Sequence, residues 1–68
     1  MTGTIRRVFR EKFYGFIKPD STGEPELFFH KSGLVGVIFE SLCEGQRVRF
    51  DSVESPKGPR AQDVNVIA

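Results

Sequence analysis

Two short stretches of the chain carry the side chains best suited to hold a ligand. Lys12, Tyr14, Phe16 and Lys18 recur at every second position, and Phe28 and His30 repeat that spacing further on. Side chains two apart on a strand share one face, so each stretch presents rings in a row. Aromatic rings set between cations suit the bases and phosphates of an unpaired nucleic-acid strand. An unpaired base stacks on a ring for about 1–3 kcal/mol, and the phosphates between bases attract Lys and Arg. Arg6 and Arg7 lie just upstream and extend the cationic set.

Catalytic readings have less to draw on. His30 is the one histidine, and no nucleophile can be assigned to it as a triad partner. Its expected role is stacking or hydrogen bonding to a base. A nuclease needs clustered carboxylates for metal or a nucleophile with a base. Asp20, Glu24 and Glu26 sit instead in a turn, away from the aromatic face, and read as a solvated acidic loop. Cys43 is the single cysteine, so no intramolecular disulfide forms, and no Cys/His cluster has metal-ligand spacing. Cys43 reads as a small packing residue, and a reduced, cytoplasmic setting fits such cysteine usage. The expectation is a protein that is not an enzyme and takes no metal, cofactor or small-molecule substrate.

The elements that position these residues are strands. Period two dominates, in segments Thr4–Arg10, Lys12–Lys18, Glu26–His30, Gln46–Val53 and Arg60–Ile67. Pro19–Pro25 and Ser55–Pro59 are turns by composition. Lys31–Gly45 reads as a long connection with one helical turn near Ser32–Leu34. Ile17, Leu27, Phe29, Val48 and Phe50 form the inward set, joined by Phe13 and Gly15 on the face of Ile17. Aromatics are usually buried, but the alternation sets Tyr14, Phe16 and Phe28 on the opposite face. A contiguous apolar patch there marks a binding site. Short strands broken by Gly/Pro turns predict an all-β chain closed into a small barrel, which hides its strand edges.

Length and charge bound the reading. The chain has 68 residues and a net charge of +1, enough for one domain over 1–68 and uninformative about partners in total. The distribution says more. Residues 1–18 hold Arg6, Arg7, Arg10, Lys12 and Lys18 against Glu11 alone, and the next turn is acidic. An anion-binding surface is therefore expected to include the first eighteen residues. There is no apolar signal core at the N-terminus and no apolar run of membrane-spanning length. The expected partner is single-stranded RNA or DNA, bound by a monomer, with no membrane. The competing reading is a small β-barrel protein-interaction module.

Four blocks then carry a specific resemblance. Lys12-Phe13-Tyr14-Gly15-Phe16-Ile17 and Leu27-Phe28-Phe29-His30 resemble the two ribonucleoprotein motifs of the cold-shock domain family, usually Lys-Gly-Phe/Tyr-Gly-Phe-Ile and Val-Phe-Val-His. Leu42-Cys43-Glu44-Gly45-Gln46-Arg47-Val48-Arg49-Phe50 and Lys57-Gly58-Pro59-Arg60-Ala61-Gln62-Asp63-Val64 resemble its Leu-x-Glu-Gly-Gln-x-Val-x-Phe and Lys-Gly-Pro-x-Ala-x-Asn-Val. The resemblance covers nearly the whole chain, in order. It implies a five-stranded antiparallel OB-fold barrel that binds single-stranded nucleic acid, often as an ATP-independent RNA chaperone or a regulator of transcription or translation. It adds Lys31, Lys57 and Arg60 to the candidate surface and makes Phe39 a loop residue that stacks a base, the bland alternative being a loop anchor. The chain also departs from the pattern. Arg7-Val8-Phe9 stands where the family commonly has Trp-Phe-Asn, Lys31 where bacterial members usually place Phe, and Phe13 where the first motif begins with Gly. Such a variant trades stacking for charge.

Overall fold

The computed structural model describes residues 1–21 and 23–67. Five strands appear in chain order: β1 (Thr2–Phe9), β2 (Tyr14–Pro19), β3 (Leu27–His30), β4 (Arg47–Val53) and β5 (Arg60–Val66). They close into a barrel in the order β1-β2-β3-β5-β4, with β4 returning to β1. The pairings β1–β2, β2–β3, β4–β5 and β1–β4 are antiparallel. The seam that completes the ring is parallel: Phe28 on β3 pairs with Arg60 on β5. Leu34 extends this seam through a parallel bridge to Val64.

The interior is filled as the alternation requires. Ile17, Leu27, Phe29, Val48 and Phe50 are buried, together with Ile5, Ala61 and Val64. Gly15 belongs to the inward row because nothing larger fits: a Cβ there would meet the Arg7 carbonyl oxygen and the Phe29 ring. The remaining core residues come from the long connection. It forms 3-10 turns at Lys31–Gly33 and Phe39–Ser41 and sends Phe39 and Leu42 into the core. Arg10 ties this segment to the end of β1, donating from Nη1 to the Glu40 carbonyl (3.2 Å) and from Nη2 to that of Leu42 (2.6 Å). One cation of the basic N-terminal set is thus taken up by structural hydrogen bonds at the surface.

Several expectations need correction. Phe13 does not point inward with Gly15 and Ile17. It lies in the turn before β2 with φ 59°, is exposed, and turns its ring edge-on to Phe39 (6.0 Å between centroids). The left-handed backbone breaks the alternation at this residue, in a conformation that Gly adopts more readily than Phe. Phe39 is not an exposed stacking ring: only 3% of its surface is accessible, and it packs against Phe29 (6.4 Å). A large ring in a segment that closes one end of a small barrel gains more from burial than from solvent. Cys43 is exposed instead of packed; Leu42 takes the buried place beside it.

A fork of hydrogen bonds ties the start of the acidic turn to the barrel. Arg47 donates from Nη1 and Nη2 to the two carboxylate oxygens of Asp20 (2.7 and 2.6 Å), and Thr2 Oγ1 donates to Asp20 Oδ2 (2.6 Å). The Asp20 carboxyl is held well below the usual carboxylate range, first by the Arg47 hydrogen bonds and then by that of Thr2. The Arg47 guanidinium is correspondingly shifted upward by Asp20.

Candidate nucleic-acid interface

β2 and β3 pair with Tyr14 opposite His30 and Phe16 opposite Phe28. All four side chains lie on the outer face and are half-buried, while Gly15, Ile17, Leu27 and Phe29 between them are buried. The rings lie side by side: Tyr14 to Phe28 5.2 Å, Phe16 to Phe28 6.1 Å and Tyr14 to Phe16 6.1 Å between centroids, tilted or edge-on. Tilted and edge-to-face contacts are favourable geometries for aromatic pairs. They support the rings against one another and leave part of each surface accessible.

β1 adds a ring that the sequence reading did not place there. The register between β1 and β2 shifts between Ile5 and Arg7, so Arg6 is an extra residue, a β-bulge. Before the bulge, Gly3 and Ile5 face inward; after it, Val8 packs on the core while Arg7 and Phe9 join the outer face. Phe9 lies across from Tyr14, with centroids 5.1 Å apart, and 6.1 Å from Phe16. The signal was present in the sequence: Arg6 and Arg7 cannot both point outward on a regular strand.

Cations border these rings. Arg7 lies opposite Phe16 on β1, Lys18 follows Phe16 on β2, and Arg60 pairs beside Phe28 on β5. Lys12 is exposed in the turn preceding Tyr14, and Lys57 is exposed in the turn preceding Arg60. Lys31 follows His30, its Nζ 4.5 Å from the centre of the Phe13 ring. Arg6 is exposed but engaged, its Nε 3.3 Å from Glu26 Oε2. Phe39, as described above, is not among the surface residues.

His30 also terminates a strand. Its Nδ1 accepts from the Ser32 backbone N–H at 3.2 Å, capping the 3-10 turn. A backbone N–H can only donate, so the neutral ring carries its proton on Nε2. That leaves an N–H donor for a ligand, and the cap fixes the ring's orientation.

A small closed barrel with half-buried rings between cations on one outer face belongs to the class of OB-type nucleic-acid-binding barrels. The profile of the 'Cold-shock' DNA-binding domain matches residues 1–67. The chain is similar to the cold shock-like protein of Aquifex aeolicus, 40% identical over 65 residues, covering 96% of this chain and 91% of that protein. It is 41% identical to the cold shock-like protein CspA of Bordetella pertussis over 66 residues, 97% of each chain. It is 41% identical to the cold shock-like protein CspLB of Listeria monocytogenes over 63 residues, 93% of this chain and 92% of that one. This chain belongs to the cold-shock domain family and is a nucleic-acid-binding protein.

Proposed function

We propose that the protein binds single-stranded RNA or DNA across the outer face of β1–β3 and β5, through Arg7, Lys12, Tyr14, Phe16, Lys18, Phe28, His30, Lys31, Lys57 and Arg60, with Phe9 added and Arg6 at the margin. The observation that carries this reading is the contiguous set of rings, neighbouring centroids 5.1–6.1 Å apart, bordered by cations. Bases of a flexible strand reach such a surface because their faces are free; paired bases offer only edges and backbone.

Binding the open strand alone shifts a hairpin toward the open form, in proportion to the difference in affinity between the two. The protein therefore acts as a nucleic-acid chaperone without ATP, and the chain has no GxxxxGK[ST] loop to bind such a fuel. It acts by binding and not by catalysis, as a monomer. A nucleic-acid ligand and the exposed thiol of Cys43 suit the cytoplasm. A hairpin labelled at both ends tests the chaperone role. Its fluorescence should rise on adding protein without nucleotide; a hairpin that stays closed at saturation, while an unstructured strand binds, removes that role.

A further inference from the structure

The parallel seam of the barrel leaves a cleft on the outer face. It has a volume of about 560 Å³ and is walled by Phe28, Pro56, Lys57, Gly58, Pro59 and Arg60. The walls are rigid for a turn. Ser55 and Gly58 exchange backbone hydrogen bonds, Ser55 N–H to the Gly58 carbonyl (3.1 Å) and Gly58 N–H to that of Ser55 (2.9 Å), and the Ser55 hydroxyl also donates to the Gly58 carbonyl. Two prolines fix the flanking φ angles. Most of this lining is apolar and flat, suited to the face of a base.

Two cations, Lys57 and Arg60, interrupt that wall, and Arg60 is the one held partly inside it. It is half-buried, and its Nε is buried without a hydrogen-bond partner among the described residues. The ion pairs found among the described residues are Arg6–Glu26 and Arg47–Asp20, so no carboxylate neutralises it there. A buried arginine Nε without an acceptor is unusual, and no side-chain hydrogen bond engages the two Nη groups among the described residues, which leaves them free for a ligand. Its partner on β3 is Phe28, a ring of the base-stacking surface. A base stacked on Phe28 would turn one edge toward the remaining N–H groups of Arg60.

We infer that this cleft is a base-specific subsite in which Arg60 selects guanine, a reading that rests on the single-strand binding proposed above. The planar fork of arginine presents parallel donors. Guanine offers two adjacent acceptors, O6 and N7, and pairs with that fork in a bidentate way. Adenine has the same size but sets an N6 amino donor beside N7, which opposes an arginine N–H. Thymine has one acceptor, O4, at the corresponding edge. The stacking surface of Phe9, Tyr14 and Phe16 accepts any base, so the preference is confined to one position of the strand.

The test uses deoxythymidine strands of about seven nucleotides, within the site size of one such barrel. A single guanine, adenine, cytosine or 7-deazaguanine is walked along them. Fluorescence titration should find one position where guanine binds at least about fivefold tighter than adenine, the lower range for a bidentate pair. 7-Deazaguanine, which lacks the N7 acceptor, should lose most of that advantage. Arg60→Lys retains the charge but not the fork, and should bring the guanine-to-adenine ratio close to one; thermal melts of the variant confirm that it is folded. A ratio near one at every position in the unmodified protein, while thymidine strands still bind, overturns the inference and leaves the single-strand reading intact. A preference that survives Arg60→Lys, or that favours cytosine over guanine, also overturns it. Failure to bind any single strand overturns both.

Discussion

Arg7 of β1 lies directly across from Phe16 of β2, so a guanidinium borders the ring at the centre of the aromatic surface. The cold-shock pattern that this stretch resembles usually has Trp at this position. Phe9, brought to the same face by the bulge at Arg6 and 5.1 Å from Tyr14, supplies a ring one place along. The surface therefore keeps four aromatic side chains and gains a cation.

That exchange has a measurable signature. A ring contributes stacking that depends little on salt, whereas each neutralised phosphate adds about 0.7 to the log–log salt slope for a single strand. Arg7→Trp is expected to flatten the slope by about 0.7 and to hold or raise affinity at high salt. Titrations across a salt series for both proteins check this. An unchanged slope would show that Arg7 lies flat on a base and neutralises no phosphate.

Phe9, Phe16 and Phe28 should differ from Phe39 when each is replaced by Ala. The first three are half-buried on the outer face, and each loss should weaken single-strand binding by about 1–3 kcal/mol. Phe39 is core, so its loss should cost about 3–5 kcal/mol of stability and leave the affinity of the folded fraction unchanged. Urea melts and oligonucleotide titrations on all four variants separate the two classes.

The backbone at Phe13 carries its own cost. A non-glycine residue at φ 59° is disfavoured by about 1–2 kcal/mol, here against the ring's contacts with Phe39 and Lys31. Phe13→Ala removes the contacts and keeps the strain; Phe13→Gly removes both. The glycine variant should be more stable than the alanine variant by about 1 kcal/mol, measured by denaturant melts. Equal stability would mean that the turn relaxes out of the left-handed region once the ring is gone.

Asp20 makes stability depend on acid. Its folded pKa is depressed by Arg47 and Thr2, while an unfolded Asp titrates near about 3.9. Below that value the unfolded chain binds a proton that the folded carboxyl resists, so stability falls as pH drops through about 4 and further toward the folded pKa. Above it the contribution is complete. Asp20→Asn should lower stability at neutral pH and flatten its decline below pH about 4. Thermal melts across that range test it; a variant with the same acid dependence as the parent would place the titration elsewhere.

Much of the site was legible because strand alternation is a strong signal. Tyr14, Phe16, Phe28 and His30 could be assigned to one face once Ile17, Leu27 and Phe29 claimed the other. Phe9 was lost to a one-residue bulge, which reverses facing from that point on and depends on how β1 must coil around its neighbours. Phe39 and Cys43 lie in a connection with no period, where burial is decided by which side chain reaches the open end of the barrel. Phe13 was misplaced because a left-handed residue ends an alternation without changing its composition. Phe28, Lys57 and Arg60 were legible as candidates, but not the cleft they share, since it arises where β3 and β5, distant in sequence, meet in parallel.

The central claim is that half-buried rings bordered by cations bind unpaired bases. Affinity for an unstructured strand and for the same sequence as a duplex, measured at one salt concentration, tests it most directly. Because stacking on Phe9, Tyr14, Phe16 and Phe28 requires free base faces and contributes about 1–3 kcal/mol per base, the strand should bind at least tenfold more tightly, a ratio that each stacked base alone could supply at roughly 1.4 kcal/mol. Equal binding of strand and duplex would contradict the account, because only the cations would then be acting.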